Sequence, residues 1–115
     1  MTELEDARIF LEPALTRFGT HQWRDIIIGV SQGHMQLWRN STAACVTEVT
    51  DYPARRVLHV FLAGGDIKGV VALEPEVEAY ARLMGCTRIQ MFGRKGWAHV
   101  AKHWTTSDII LHREL

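Results

Sequence analysis

One imidazole set in an apolar run is the first group of this chain with an evident chemical use. His59 is the single polar side chain between Val57 and Ala63, and an imidazole that titrates near neutrality can take a proton from an amine as a general base. The competing use is a strand histidine held in place by a hydrogen bond. Glu48 and Asp51 close the preceding apolar segment and can serve the same base through a water, although acids at a strand end are commonly just solvated. Past His59 the chain reads Leu62, Ala63, Gly64, Gly65, Asp66, Ile67, Lys68, Gly69. A glycine pair between a strand and a helix clears side chains from the backbone N–H groups that can hold a phosphate. Asp66 is a good helix N-cap, and its charge at that mouth argues against an anionic ligand.

A second candidate lies downstream. Gly93, Arg94, Lys95 and Gly96 follow a short apolar segment, and their amides with two cations could hold a phosphate or the adenine end of a cofactor. Like positive charges at a helix start oppose the helix dipole, so helix stability alone does not account for them. The run is not a P-loop, which has a longer glycine-rich stretch and a Ser or Thr after its Lys. His99 and His103 have helical metal-ligand spacing, but Val100, Ala101 and Lys102 stand between them where a zinc protease motif carries its acid. No metal site is expected from that pair. Trp23, Trp38, Trp97 and Trp104 are spread along the sequence, as anchors of a core or interface and not as a stacking platform, with Trp23 and Trp38 expected in the core.

Composition sets the frame for these groups. A chain of 115 residues fits one domain spanning 1–115, with a core large enough to fold without staples. Thirteen basic residues balance thirteen acidic ones, so no global field draws the protein to nucleic acid or an anionic membrane. The start MTELEDARIF is acidic where a signal peptide is basic, and no apolar run approaches a membrane span. A cytoplasmic protein with no membrane partner is expected, and Cys45 and Cys86, solitary and far apart, are expected as free thiols.

Periodicity places the candidates on elements. Leu4, Ala7, Leu11, Ala14 and Phe18 mark an amphipathic helix that Pro13 should kink or divide, ended by Gly19. Thr20 is placed to cap a second helix with Trp23, Ile26, Ile27 and Val30 on its apolar face, ended by Gly33. Met35 to Arg39, Thr42 to Thr50 and Val57 to Ala63 read as three strands with short connections, hence an antiparallel meander. Val70, Leu73, Val77, Tyr80 and Met84 then keep a helical rhythm across Pro75, as one kinked helix or two short ones, closed by Gly85. Arg88 to Phe92 is a strand that this crossover should pair in parallel with Val57 to Ala63. A short helix from Gly96 to His103 and a last strand from Thr106 to Arg113 complete the pattern.

This order resembles the GNAT acyltransferase fold, most closely in VLHVFLAGGDIKGVVAL followed by RIQMFGRKGWAHVAKHW. The resemblance implies a mixed α/β (α+β) domain, an antiparallel meander followed by a parallel βαβ unit, with helices on both faces. It also implies that the strand Val57 to Ala63 splays from its parallel neighbour and holds the pantetheine arm of acetyl-CoA or another acyl-CoA. The cofactor positions would then be Leu62, Ala63, Gly64, Gly65, Lys68 and Gly69, with the pyrophosphate at the turn and helix start and Arg94 and Lys95 holding a phosphate or the adenine end. A backbone N–H near Leu62 would polarise the thioester, and His59, or a water relayed from Glu48, would assist an amine acceptor.

The chain departs from the family pattern in two places. The pyrophosphate loop of the family usually carries Arg or Gln, two residues, Gly, one residue, then Gly or Ala, whereas AGGDIKG has neither Arg nor Gln in place. The Tyr that often protonates the departing thiolate is also missing, with His103, Trp104 and Thr105 in its region. Short GNAT-like proteins with a worn loop also resemble small proteins encoded among phage and prophage structural genes, which implies a noncatalytic assembly partner as the alternative. Nucleic-acid binding would need Arg55, Arg56, Arg94 and Lys95 to converge.

Overall fold

Leu4, Ala7, Leu11, Ala14 and Leu15 recur at helical spacing and are at most 4 % exposed, which is why the first segment folds as a helix against a sheet. The computed structural model describes residues 2–93, 103–105 and 110–115. Helix α1 runs Thr2–Phe18 without division, although Pro13 stands inside it. The expected break is absent because Pro13 lies on the exposed side, where water can satisfy the carbonyl that loses its partner. Helix α2, Trp23–Ser31, is capped by Gln22, whose N–H donates to the Asp25 carboxylate at 2.8 Å. Thr20 is therefore not the cap; its hydroxyl is hydrogen-bonded to His21 at 2.8 Å. Gly19, Gly33 and Gly85 all have positive φ and stop their helices as the sequence predicts.

Four strands form one sheet in the order β1-β2-β3-β4 among the described residues. They are β1 Gln36–Arg39, β2 Ala43–Asp51, β3 Arg56–Gly65 and β4 Arg88–Met91. The first three are antiparallel neighbours, and β3 pairs with β4 in parallel, as short turns followed by a helical crossover dictate. The crossover is two helices, α3 Ile67–Ala72 and α4 Glu74–Leu83, with Pro75 in the first turn of α4 where its missing N–H costs nothing.

The two sheet faces are covered separately. Leu4, Leu11, Ile26, Val46 and Leu62 join α1 and α2 to one face. Cys45, Leu58, Val60, Leu73, Val77 and Ala81 join α3 and α4 to the other. Each fully buried Leu or Ile in these layers contributes about 1.5–3 kcal/mol. Trp23 is buried in the first layer and Trp38 packs half-buried against the second, its indole N–H donating to Thr47 at 2.9 Å.

One residue breaks the two-residue alternation of β3. Val46 faces Leu62 but Thr47 faces Val60, so Phe61 is an extra residue and the strand carries a bulge. In consequence Phe61 and Leu62, adjacent in sequence, both pack toward α1 and α2, while Val60 and Ala63 pack toward α4.

Two corrections concern strand ends. The glycine pair belongs to β3, opposite Ala44 and Ala43, and is not the turn that opens the helix. Ile110–Leu115 contain no strand; the rest of the expected last strand, Thr106 to Ile109, lies outside the described residues, as does the helix expected after Gly96 up to Lys102. Cys45 and Cys86 are both free thiols, and burial pushes the Cys45 thiol up to about 12, so it stays protonated and inert.

Candidate active site at the opening between β3 and β4

Parallel pairing of β3 with β4 begins at Val57 and Arg88 and stops at Val60 and Met91. Beyond that point β3 continues through Phe61, Leu62, Ala63 and Gly64 to Gly65, still paired with β2. The bulge at Phe61 sits just past the point where β4 ends at Met91, and a bulge bends and twists its strand. The sheet therefore opens at this point among the described residues.

The direction of each free amide follows from the ladder. The Asp66 N–H donates to the Thr42 carbonyl at 3.0 Å, and amides of an antiparallel strand point alternately to and from the partner. Gly64 and Leu62 thus turn toward β2, while Gly65 and Ala63 turn toward the side that β4 has left. Of the amides the sequence singles out, that of Leu62 faces the sheet and that of Ala63 faces the opening. Phe18, Val60, Ala63, Met91 and Phe92 are among the residues that line a recess of about 10 Å³ there, room for a single water. Its lining comes from both sheet faces, as it must if the gap passes between the strands.

His59 and Glu48 stand side by side in the sheet. They are register partners on β3 and β2, so their side chains share a face, the one toward α1 and α2. The His59 ring is half-buried and stands edge-on to Phe92 with centroids 4.8 Å apart. Burial lowers the His59 pKa from 6.5, opposed by the nearby Glu48 carboxylate and a hydrogen bond to the Gln90 backbone. A base kept neutral at pH 7 can accept a proton. Because the folded value lies below the unfolded 6.5, stability is complete above that pH and is lost as pH falls through the folded value. Thermal melts from pH 7.5 to 5 should show a falling midpoint, and His59→Gln should flatten that fall; an identical slope in the variant would show that His59 does not carry it.

The start of α3 is arranged differently. Asp66 caps this six-residue helix, and its carboxylate accepts from the Lys68 N–H at 3.2 Å. The acid thus takes an amide that an anion would need. Gly64 and Gly65 have packing reasons of their own: a carbon added to Gly64 would strike the Phe10 carbonyl of α1, and Gly65 has φ 103° beside the Thr42 carbonyl. Gly69 is buried, and its carbonyl accepts from the Asn40 amide at 2.8 Å.

Asn40 is a residue whose part the sequence did not reveal. Its side-chain oxygen accepts from the N–H groups of Thr42 at 3.0 Å and Ala43 at 2.9 Å, which ties the β1–β2 turn to α3 and fixes the junction after β3. Asn is a common turn residue for this reason, but nothing in its own segment points to a partner 29 residues away.

Arg94, Lys95 and His99 lie outside the described residues. Among the described ones, no three His, Cys, Asp or Glu side chains gather as a metal site, and no helix is long and apolar enough to cross a membrane. Arg56 forms an ion pair with Asp51 at 2.6 Å and donates to the Met84 carbonyl at 2.9 Å, a structural tie at the far end of β3 from Gly65.

A meander, a bulged strand that parts from its parallel neighbour, and helices on both faces define a GNAT-like fold. Solved structures agree with this assignment. The chain is similar to a probable acetyltransferase over 99% of its own length and 95% of the other, at 10% identity and TM-score 0.64. A Thermus thermophilus protein matches over 97% and 92%, at 14% and TM-score 0.66. A Trypanosoma brucei acetyltransferase matches over 81% and 78%, at 9% and TM-score 0.62. At such identities the likeness is one of fold. No protein-family model matches the sequence, and no curated protein sequence matches it.

Proposed function

We propose that the protein is an acyl-CoA-dependent N-acyltransferase of the GNAT type. The observation that carries this reading is the opening beside β3, where the outward amides of Ala63 and Gly65 face no strand among the described residues. An extended pantetheine arm, with its own amides, is the kind of ligand that adds to such an edge. Acyl-CoA supplies an acyl group activated as a thioester. The Ala63 N–H would donate to the thioester oxygen as it gains charge. His59, assisted by Glu48, would take the proton of the amine while the new C–N bond forms, the C–S bond breaks and coenzyme A departs as thiolate.

The residues fit one part of that ligand and not another. The free edge suits the pantetheine, whereas Asp66 holds the start of α3 with a negative charge where the pyrophosphate would approach. This feature favours a second reading, in which the fold is kept for a noncatalytic binding or assembly role. Calorimetric titration with acetyl-CoA, paired with backbone amide NMR, tests the choice. Saturable binding with shifts concentrated at Ala63 and Gly65 is expected. Absence of heat and of shifts at millimolar acetyl-CoA would discard the acyltransferase and leave the assembly role.

A further inference from the structure

Five aromatic rings gather where the sheet opens. Phe18 and Phe61 stack with centroids 6.0 Å apart, His21 lies 4.6 Å from Phe61, and His59 meets Phe92 at 4.8 Å. The two groups are joined by the recess between β3 and β4, which Phe18 and Phe92 both line. Phe18 and Phe92 therefore stand at the recess itself, and Phe61 backs Phe18 from the sheet. Core packing explains Phe61, which is 9% exposed, but not Phe92, which leaves 48% of its surface in water. Beside these rings Glu48 is the register partner of His59, and it brings a carboxylate to the same sheet face.

We infer that this mouth receives an amine carried on an aromatic or apolar frame with a single ammonium group, the arylalkylamine class. The inference rests on the acyltransferase reading and names its acceptor. Ring faces attract an ammonium electrostatically and cover an apolar frame at the same time. One carboxylate balances one ammonium. A polyamine, or the lysine of a basic peptide, brings several cations and needs several carboxylates, whereas Glu48 is the carboxylate that the register places beside these rings. The recess has a volume of about 10 Å³, so the frame lies against the rings at its mouth and only the amine points toward the gap.

Titration with phenethylamine and with spermidine, both without coenzyme A and followed on aromatic side-chain NMR signals, separates this inference from the enzyme reading. Phenethylamine should shift the Phe61, Phe92 and His59 signals saturably, and spermidine should bind more weakly. Phe92→Ala, a change at a half-exposed residue past the end of β4, should weaken phenethylamine about fivefold. If phenethylamine binds at the rings while coenzyme A does not bind, the mouth stands as an amine-binding site and the acyltransferase reading falls. If coenzyme A binds but phenethylamine leaves the rings unshifted, or spermidine binds as tightly, the inference is overturned and the acyltransferase reading stands. If neither ligand binds, both are overturned.

Discussion

Replacing Gly64 with valine should destabilise the protein by about 3 kcal/mol or more, at the upper end of what overpacking costs. The cause is backbone against backbone: the first added carbon would overlap the Phe10 carbonyl of α1, and neither partner has a rotamer through which to yield. Relief requires α1 to lift from the sheet, which would expose Leu11 and Leu62, now buried to within 1% of their surface. In a domain of this size such a loss lowers the melting midpoint by roughly 10 °C or more. Gly65→Ala should cost about 1 kcal/mol or more, because its φ of 103° penalises any side chain and the added carbon would also strike the Thr42 carbonyl, although it adds fewer atoms than valine at Gly64. Differential scanning calorimetry on both variants checks these losses. A Gly64→Val protein that melts with the parent would show that α1 does not press on β3.

The same glycines show what the sequence could and could not tell. That a strand runs up to GG and a helix follows is visible in the residues, but not that the pair itself ends the strand; the parallel crossover is visible as well, because only a long connection can return a strand in that sense. The purpose of the glycines was not visible. A ligand phosphate and a helix crossing the strand both demand a missing Cβ, and only the partner distinguishes them. The partner, Phe10, lies far upstream in sequence.

The bulge was hidden for a different reason. In Val60-Phe61-Leu62-Ala63 every residue is apolar, so no polar position marks where the alternation slips, and a strand covered on both faces carries no face signal to lose. The bulge nonetheless bears on the site, because it lies where β4 ends and β3 continues paired with β2 alone. His59 and Glu48 were legible because each is a polar group in an apolar strand. Their register pairing follows from a hairpin that closes through Tyr52 to Arg55, just past the paired Asp51 and Arg56, where Pro53 is a common turn residue. Phe92 was read only as a strand residue. Its contact with His59 depends on where β4 ends, and strand ends are set by tertiary contacts more than by local preference.

Asp66→Asn should tighten acetyl-CoA binding about fivefold if the diphosphate lies at the start of α3. Asparagine caps a helix as well as aspartate does, so the hydrogen bond to the Lys68 N–H, 3.2 Å in the parent, should persist and the melting midpoint should barely move. What changes is charge. A carboxylate within a few ångström of a diphosphate at a solvated site is repelled by about 1 kcal/mol, which converts to that factor of five. Ala63→Pro is the companion, because it deletes one N–H that the ladder turns away from β2, a place where a strand can tolerate proline. That variant should lose about tenfold in affinity, the worth of one hydrogen bond to the ligand. The pair separates three situations by titration alone. Tightening by Asn with loss by Pro places the whole cofactor along β3 and α3. Loss by Pro without tightening by Asn places the pantetheine on β3 and sends the diphosphate elsewhere. If neither substitution alters a measurable affinity, the opening beside β3 is not the acyl-CoA site, and the proposed roles of Ala63 and His59 fall with it.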